Sequence, residues 1–146
     1  MRVTLRAATP SDRHFVETVY FETQRWIIEQ LFGWRGDDTE RAKFDESYVE
    51  SETEIVNLSG DDVGWLSVHK SASSVEIDSI YILPQAQKMG IGTMLISRII
   101  HDARATGLTV TISTAKINPA RTLYQRLGFQ VCGETELKVF MRYRQT

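Results

Sequence analysis

Hydrophobic positions change their period several times along the chain, and each change marks an element. Val3 and Leu5 share one face of a short first strand, two residues apart. Thr9-Pro10-Ser11-Asp12 predicts a helix start, with Thr9 as N-cap, Pro10 at the first helical position and acidic Asp12 at the third. Phe15, Val16, Val19, Tyr20, Trp26, Ile27 and Leu31 then repeat at helical spacing as far as Phe32, where Gly33 and Gly36 interrupt them. A second, charged helix is expected over Asp38–Tyr48, anchored by Ala42, Phe44 and Tyr48.

Three strands follow: Glu54–Leu58, Val63–His69 and Val75–Leu83, joined by the polar turns Ser59-Gly60-Asp61-Asp62 and Lys70–Ser74. Pro84 stops the third, because it has no N–H to offer a ladder. A helix over Gly90–Ala105 turns Ile91, Met94, Leu95 and Ile99 inward, with Ile100 at the margin, and ends at Gly107. Leu108–Thr114 alternates as a strand, and Asn118-Pro119 opens a short helix that Gly128 ends. Phe129–Cys132 and Glu136–Arg144 are the closing strands. With no repeat or low-complexity stretch, the expectation is one mixed α/β domain over residues 1–146.

Composition narrows the function classes. The 146 residues carry 42% hydrophobic and 25% charged side chains, which are globular proportions. Seventeen Lys+Arg against nineteen Asp+Glu give a formal charge of -2, which offers no bulk attraction for nucleic acid or an anionic membrane. Arg142 and Arg144 read as a solvated strand face. Cys132 stands alone, so no internal disulfide forms, and no Cys/His cluster has metal spacing. No stretch reads as a signal peptide or a membrane span, so the expected location is cytoplasmic.

The chemistry concentrates in two segments. Ile80-Tyr81-Ile82-Leu83-Pro84 is strand and stop, and Gln85 to Gly92 is a loop entering a helix. Gly90 and Gly92 let backbone approach a ligand, and the first N–H groups of a helix favour an anion such as a phosphate. Lys88 adds one positive charge. A dinucleotide-binding loop would need glycine where Leu95 stands, and a Walker loop would need Gly-Lys-Ser/Thr. By itself this loop is equally a tight helix entry. The second segment, Asn118-Pro119-Ala120 through Leu123-Tyr124 to Leu127-Gly128-Phe129, is a capped short helix carrying a central tyrosine.

Together these segments resemble the Gcn5-related N-acetyltransferase (GNAT) superfamily. Gln87-x-x-Gly90-x-Gly92 is similar to its coenzyme loop, with Lys88 where a glycine is common, and the Asn118–Phe129 segment is similar to its second signature. The family order β-α-α-β-β-β-α-β-α-β spans nearly the whole chain. The resemblance implies a mixed, mostly antiparallel central sheet with helices on both faces. It also implies acetyl-CoA as co-substrate, no metal, and a primary amine of a small molecule or peptide as acceptor. Backbone of Ile80, Tyr81 and Ile82 would pair with the pantetheine arm. N–H groups of Gln87, Lys88, Met89, Gly90, Ile91, Gly92 and Thr93 would hold the pyrophosphate. Asn118 would touch the coenzyme, and Tyr124 would lie near the sulfur. A non-catalytic CoA- or acyl-CoA-binding regulatory domain is the alternative.

Acyl transfer to an amine needs a neutral nucleophile, a donor for the oxyanion, and a proton or hydrogen bond for the leaving thiolate. Lysine-like amines begin at a pKa of about 10.4, and a phenol of about 10 at Tyr124 can serve the sulfur. Glu76 and Asp78 share one strand face and can relay the amine's proton through water, or can simply be solvated. His69 is a further titratable group at a strand end, whereas His14 and His101 sit among polar neighbours. For the acceptor, Glu22, Trp26 and Glu29 fall on one helical line that suits a cation, unless Trp26 is core. Trp34, with Gly33 and Gly36, marks the turn between the first two helices, where a lid over the acceptor is expected. The chain is compatible with a monomer or a homodimer.

Overall fold

The computed structural model describes residues 2–144. The chain runs through β1 (Val3–Ala7), α1 (Arg13–Phe32), α2 (Asp37–Ser47), β2 (Thr53–Leu58), β3 (Asp61–Lys70) and β4 (Ser74–Ile82). It continues through α3 (Ile91–Ala105), β5 (Thr109–Ala115), α4 (Ala120–Leu127), β6 (Phe129–Glu134) and β7 (Lys138–Tyr143). The strands form a mixed seven-stranded sheet in the order β1-β2-β3-β4-β5-β7-β6. β4 runs parallel to β5, while β1–β2, β2–β3, β5–β7 and β6–β7 are antiparallel. Both closing strands read from the hydrophobic pattern are present, one strand more than the order β-α-α-β-β-β-α-β-α-β implied by the resemblance. Residues 2–67 and 79–89 make one compact unit, and residues 68–78 and 90–144 make the other.

In the first unit, Val16 and Val19 of α1, Phe44 of α2, Ile55 of β2, Trp65 of β3 and Leu83 form a buried cluster. Phe15, Tyr20, Phe21, Tyr48 and Tyr81 pack around it. The Trp65 indole N–H donates to the Val16 carbonyl at 3.0 Å, so a large apolar ring is buried without leaving its donor unpaired. Trp26 does not belong to this core. It is 44% exposed, because Ile27 and Ile28 together take the inward side at that end of α1. A 3-10 turn, Pro10–Asp12, precedes α1. There Asp12 accepts the Thr9 N–H at 2.8 Å and two guanidinium bonds from Arg6, at 2.8 and 2.9 Å. The Arg6 bonds hold the buried Asp12 carboxyl well below the usual carboxylate range.

In the second unit, α3 buries Ile91, Leu95, Ile96, Ile100 and Ala103 and packs on β5 and α4. Met94 and Ile99, expected inside, are half-buried, and Ile96 takes the inward place instead. Val110 and Ile112 of β5, with Val139 and Met141 of β7, supply the strand side of the core. The β4–β5 ladder covers only Ser74–Ile77 against Thr109–Ile112, although β5 continues with β7 to the Ala115–Lys138 pair.

Candidate active site

The far end of β4 is shaped by a glycine on its neighbour. Gly64 of β3 is buried, and a Cβ there would overlap the Tyr81 carbonyl oxygen and stand 2.9 Å from Ile82 Cδ1 and 3.1 Å from Ile82 Cα. Two residues of β4 thus crowd one residue of β3, an approach open only to glycine. The next contact is regular, with Leu83 N–H donating to Val63 O at 2.8 Å. The Tyr81–Ile82 peptide turns its oxygen towards Gly64, so the N–H of that trans peptide, carried by Ile82, points the other way.

The loop after β4 is tied back to it. The Ala86 N–H donates to Leu83 O at 2.9 Å, and the Gln87 N–H donates to Pro84 O at 3.2 Å. The Gln87 side-chain amide donates to the Ile82 carbonyl at 2.8 Å. Gln87 is therefore a brace, and its N–H, expected among the phosphate donors, is already taken. Lys88 and Gly90 both adopt left-handed backbone, with φ of 65° and 81°. Gly90 does so at no steric cost, whereas Lys88 is held in a conformation glycine would prefer.

Gly90 is the N-cap of α3, and the first intrahelical bond runs from Met94 N–H to Gly90 O at 3.0 Å. The N–H groups of Ile91, Gly92 and Thr93 lie in the turn before that bond, where a helix offers donors and its positive dipole end. A Cβ on Gly92 would stand 4.0 Å from Leu123 Cδ2, so α4 flanks this first turn.

Just before α4, Asn118 Oδ1 accepts the Ala120 N–H at 3.0 Å and starts the helix. Tyr124 lies with its ring against Phe129, 6.3 Å between centroids, and is 6% exposed. Burial pushes its phenol up to about 12, with no charged or hydrogen-bonding neighbour contributing. The group is a neutral donor throughout the physiological range.

The sequence profile of the acetyltransferase (GNAT) domain matches residues 46–131, more than half of the chain. The chain belongs to the GNAT acetyltransferase family. Its fold is similar to that of the PaiA N-acetyltransferase from Thermoplasma acidophilum in complex with coenzyme A. That match has a TM-score of 0.79 and 14% identity, and covers 99% of this chain and 100% of that one. PH1933 from Pyrococcus horikoshii OT3 matches with a TM-score of 0.73 and 17% identity, over 99% of both chains. The N-acetylglutamate synthase of Neisseria gonorrhoeae, complexed with coenzyme A and N-acetyl-glutamate, matches at 0.65 and 21% identity. There the similarity covers 99% of this chain and 36% of the synthase. None of the curated proteins matches in sequence.

Other residues that the GNAT resemblance or the spacing singled out fall in different surroundings. Glu76 and Asp78 are exposed and alternate with buried Val75 and Ile77, which puts them on the face away from that core. His69 is exposed near the end of β3. In the first unit, Glu29 is engaged by Arg25 at 2.6 Å. The same guanidinium lies 3.9 Å from the centre of the Trp34 ring, and the Trp34 indole donates to Asp37 at 2.9 Å. Trp34 is thus pinned from both sides, which opposes the reading of its turn as a loose lid. Arg35 reinforces the turn by donating its backbone N–H and two guanidinium bonds to buried Glu40, at 3.1, 2.8 and 2.9 Å. Glu22 borders a shallow recess of about 420 Å³ with His14, Glu17, Thr18, Phe21 and Arg41, and Trp26 is not part of it. No helix among the described residues is long and apolar enough to cross a membrane. No group of three or more His, Cys, Asp or Glu among the described residues is placed to hold a metal ion. Gly64 was not singled out in the sequence, although a glycine inside an otherwise apolar strand is the signal for close backbone approach.

Proposed function

We propose that this GNAT protein transfers the acetyl group of acetyl-CoA to a primary amine of a small molecule or peptide by direct attack. The observation that carries the reading is the N-terminus of α3. Left-handed Gly90 opens the helix, three N–H groups precede its first internal bond, and Leu123 of α4, the residue before Tyr124, flanks that turn. Backbone donors of this kind hold a pyrophosphate without a basic surface, which suits a chain of formal charge -2.

In this reading the pyrophosphate lies at Lys88 to Thr93, and the pantetheine arm pairs along Ile80–Ile82. Asn118 offers its amide N–H, because its oxygen is occupied in starting α4. The amine attacks the thioester carbonyl carbon, so a C–N bond forms, and the C–S bond then breaks. The Ile82 N–H, directed away from Gly64, serves the oxygen that becomes negative. The Tyr124 hydroxyl donates a hydrogen bond to the departing sulfur. A phenol near 12 is a weaker acid than an ordinary thiol, so it stabilises the thiolate without surrendering its own proton. The proton lost by the amine passes to water, with Glu76 and Asp78 as the relay candidates.

The test is a panel of polyamines, amino sugars, amino acids, peptide N-termini and peptide lysines, with CoA release followed for each. Amine-dependent release supports the transferase. Tight acetyl-CoA binding with no release across the panel favours a CoA-binding regulatory domain.

A further inference from the structure

We propose that Gly64, outside the loop and helix that hold the coenzyme, is a positioning residue that sets where the acetyl carbonyl is received. The proposal rests on the acetyl-CoA reading above. In a regular sheet a Cβ stands clear of the neighbouring strand's backbone, because side chains project from the pleat. At Gly64 that space is filled by the Tyr81 carbonyl oxygen, with Ile82 Cα and Cδ1 close behind. The crowding is local, since Leu83 returns to an ordinary bond with Val63 O.

One rigid peptide carries both consequences. Its oxygen, from Tyr81, occupies the space of the missing side chain, and its N–H, from Ile82, is turned to the opposite side. Gln87 then accounts for the next carbonyl, holding Ile82 O at 2.8 Å. The peptide that carries the Ile82 N–H is thus set by a glycine on β3, and the peptide after it is held by a side chain of the loop. Any side chain at position 64 must push the Tyr81 carbonyl out, and the Ile82 N–H rotates with it. Gly64 touches no substrate, and it acts by deciding how that peptide is oriented.

The distinguishing readout is the preference for acetyl-CoA over CoA, because only the former has a carbonyl to be received. Titration calorimetry of wild type and Gly64→Ala against both ligands is expected to show acetyl-CoA affinity falling about tenfold, the worth of one hydrogen bond. CoA affinity is expected to stay within about threefold. Val19→Ala, which hollows the same core without adding an atom between β3 and β4, controls for lost stability and is expected to keep the wild-type preference. If Gly64→Ala does not fold, amide NMR of the wild type decides: the Ile82 N–H resonance shifts further with acetyl-CoA than with CoA. Equal loss for both ligands in Gly64→Ala, a lost preference in Val19→Ala, or an Ile82 resonance indifferent to the acetyl group overturns the proposal. Wild type that binds neither ligand overturns the coenzyme reading itself, an outcome distinct from the others.

Discussion

The side-chain amide of Gln87 donates to the main-chain carbonyl of Ile82 at 2.8 Å, closing the loop back onto the end of the strand that leads into it. This bond fixes the start of the left-handed backbone at Lys88 and Gly90. Gln87→Ala is expected to loosen the loop and raise the CoA dissociation constant about fivefold, the equivalent of roughly 1 kcal/mol. Gln87→Arg keeps a donor for the same carbonyl and should recover most of the affinity. Calorimetry on the two variants checks both, and equal affinity in Gln87→Ala and wild type would remove the bond from coenzyme binding.

Tyr124 provides a kinetic test. Tyr124→Phe removes a hydroxyl and leaves the ring against Phe129, so turnover should fall about 10- to 100-fold while CoA affinity changes little. A phenol near 12 also contributes no limb to the activity profile at neutral pH.

The same phenol has a signature in stability. Its folded pKa is raised by burial, so its contribution is complete below about pH 10, where the unfolded phenol ionises. It is lost as pH rises through about 12. Thermal unfolding should show a decline over that window in wild type that is weaker in Tyr124→Phe.

Asp12 behaves with the opposite sign. Arg6 lowers its folded pKa, so the stabilisation is present above the ordinary carboxylate range and fades as pH falls below it. Asp12→Asn should cost about 2 kcal/mol at pH 7, from the lost charged hydrogen bonds. The difference from wild type should shrink below pH ~4. Denaturant titrations at pH 7 and pH 3 measure it.

Lys88 occupies φ 65° without being glycine. Lys88→Gly should relieve that strain and raise stability by about 0.5–1 kcal/mol, read as a higher melting temperature. A melting point at or below that of wild type would mean that the Lys88 side chain outweighs its backbone strain.

Hydrophobic period read the order of elements well because burial repeats at the spacing of the backbone geometry itself. It failed where two neighbouring positions compete for one face. Trp26 lost to Ile27 and Ile28 on α1, and Met94 and Ile99 yielded to Ile96 on α3. The Asn118–Gly128 helix and the Gly90 helix entry were legible from caps and glycines, which act within a few residues. The surroundings of Glu29, held by Arg25, and of Trp34, held by Arg25 and Asp37, depend on which rotamers meet at a turn, and no spacing rule states that.

The sequence by itself therefore determined the element order, the glycine entry to the helix at Gly90 and the position of Tyr124 in a short capped helix. These depend on nearest neighbours along the chain. Only the tertiary structure decided that Gln87 spends its N–H and its amide on bracing the loop, and that burial lifts the Tyr124 phenol. It alone showed that Gly64 gives up its side-chain space to the Tyr81 carbonyl. Gly64 and Tyr81 stand far apart along the chain, and they meet only when β3 and β4 lie side by side.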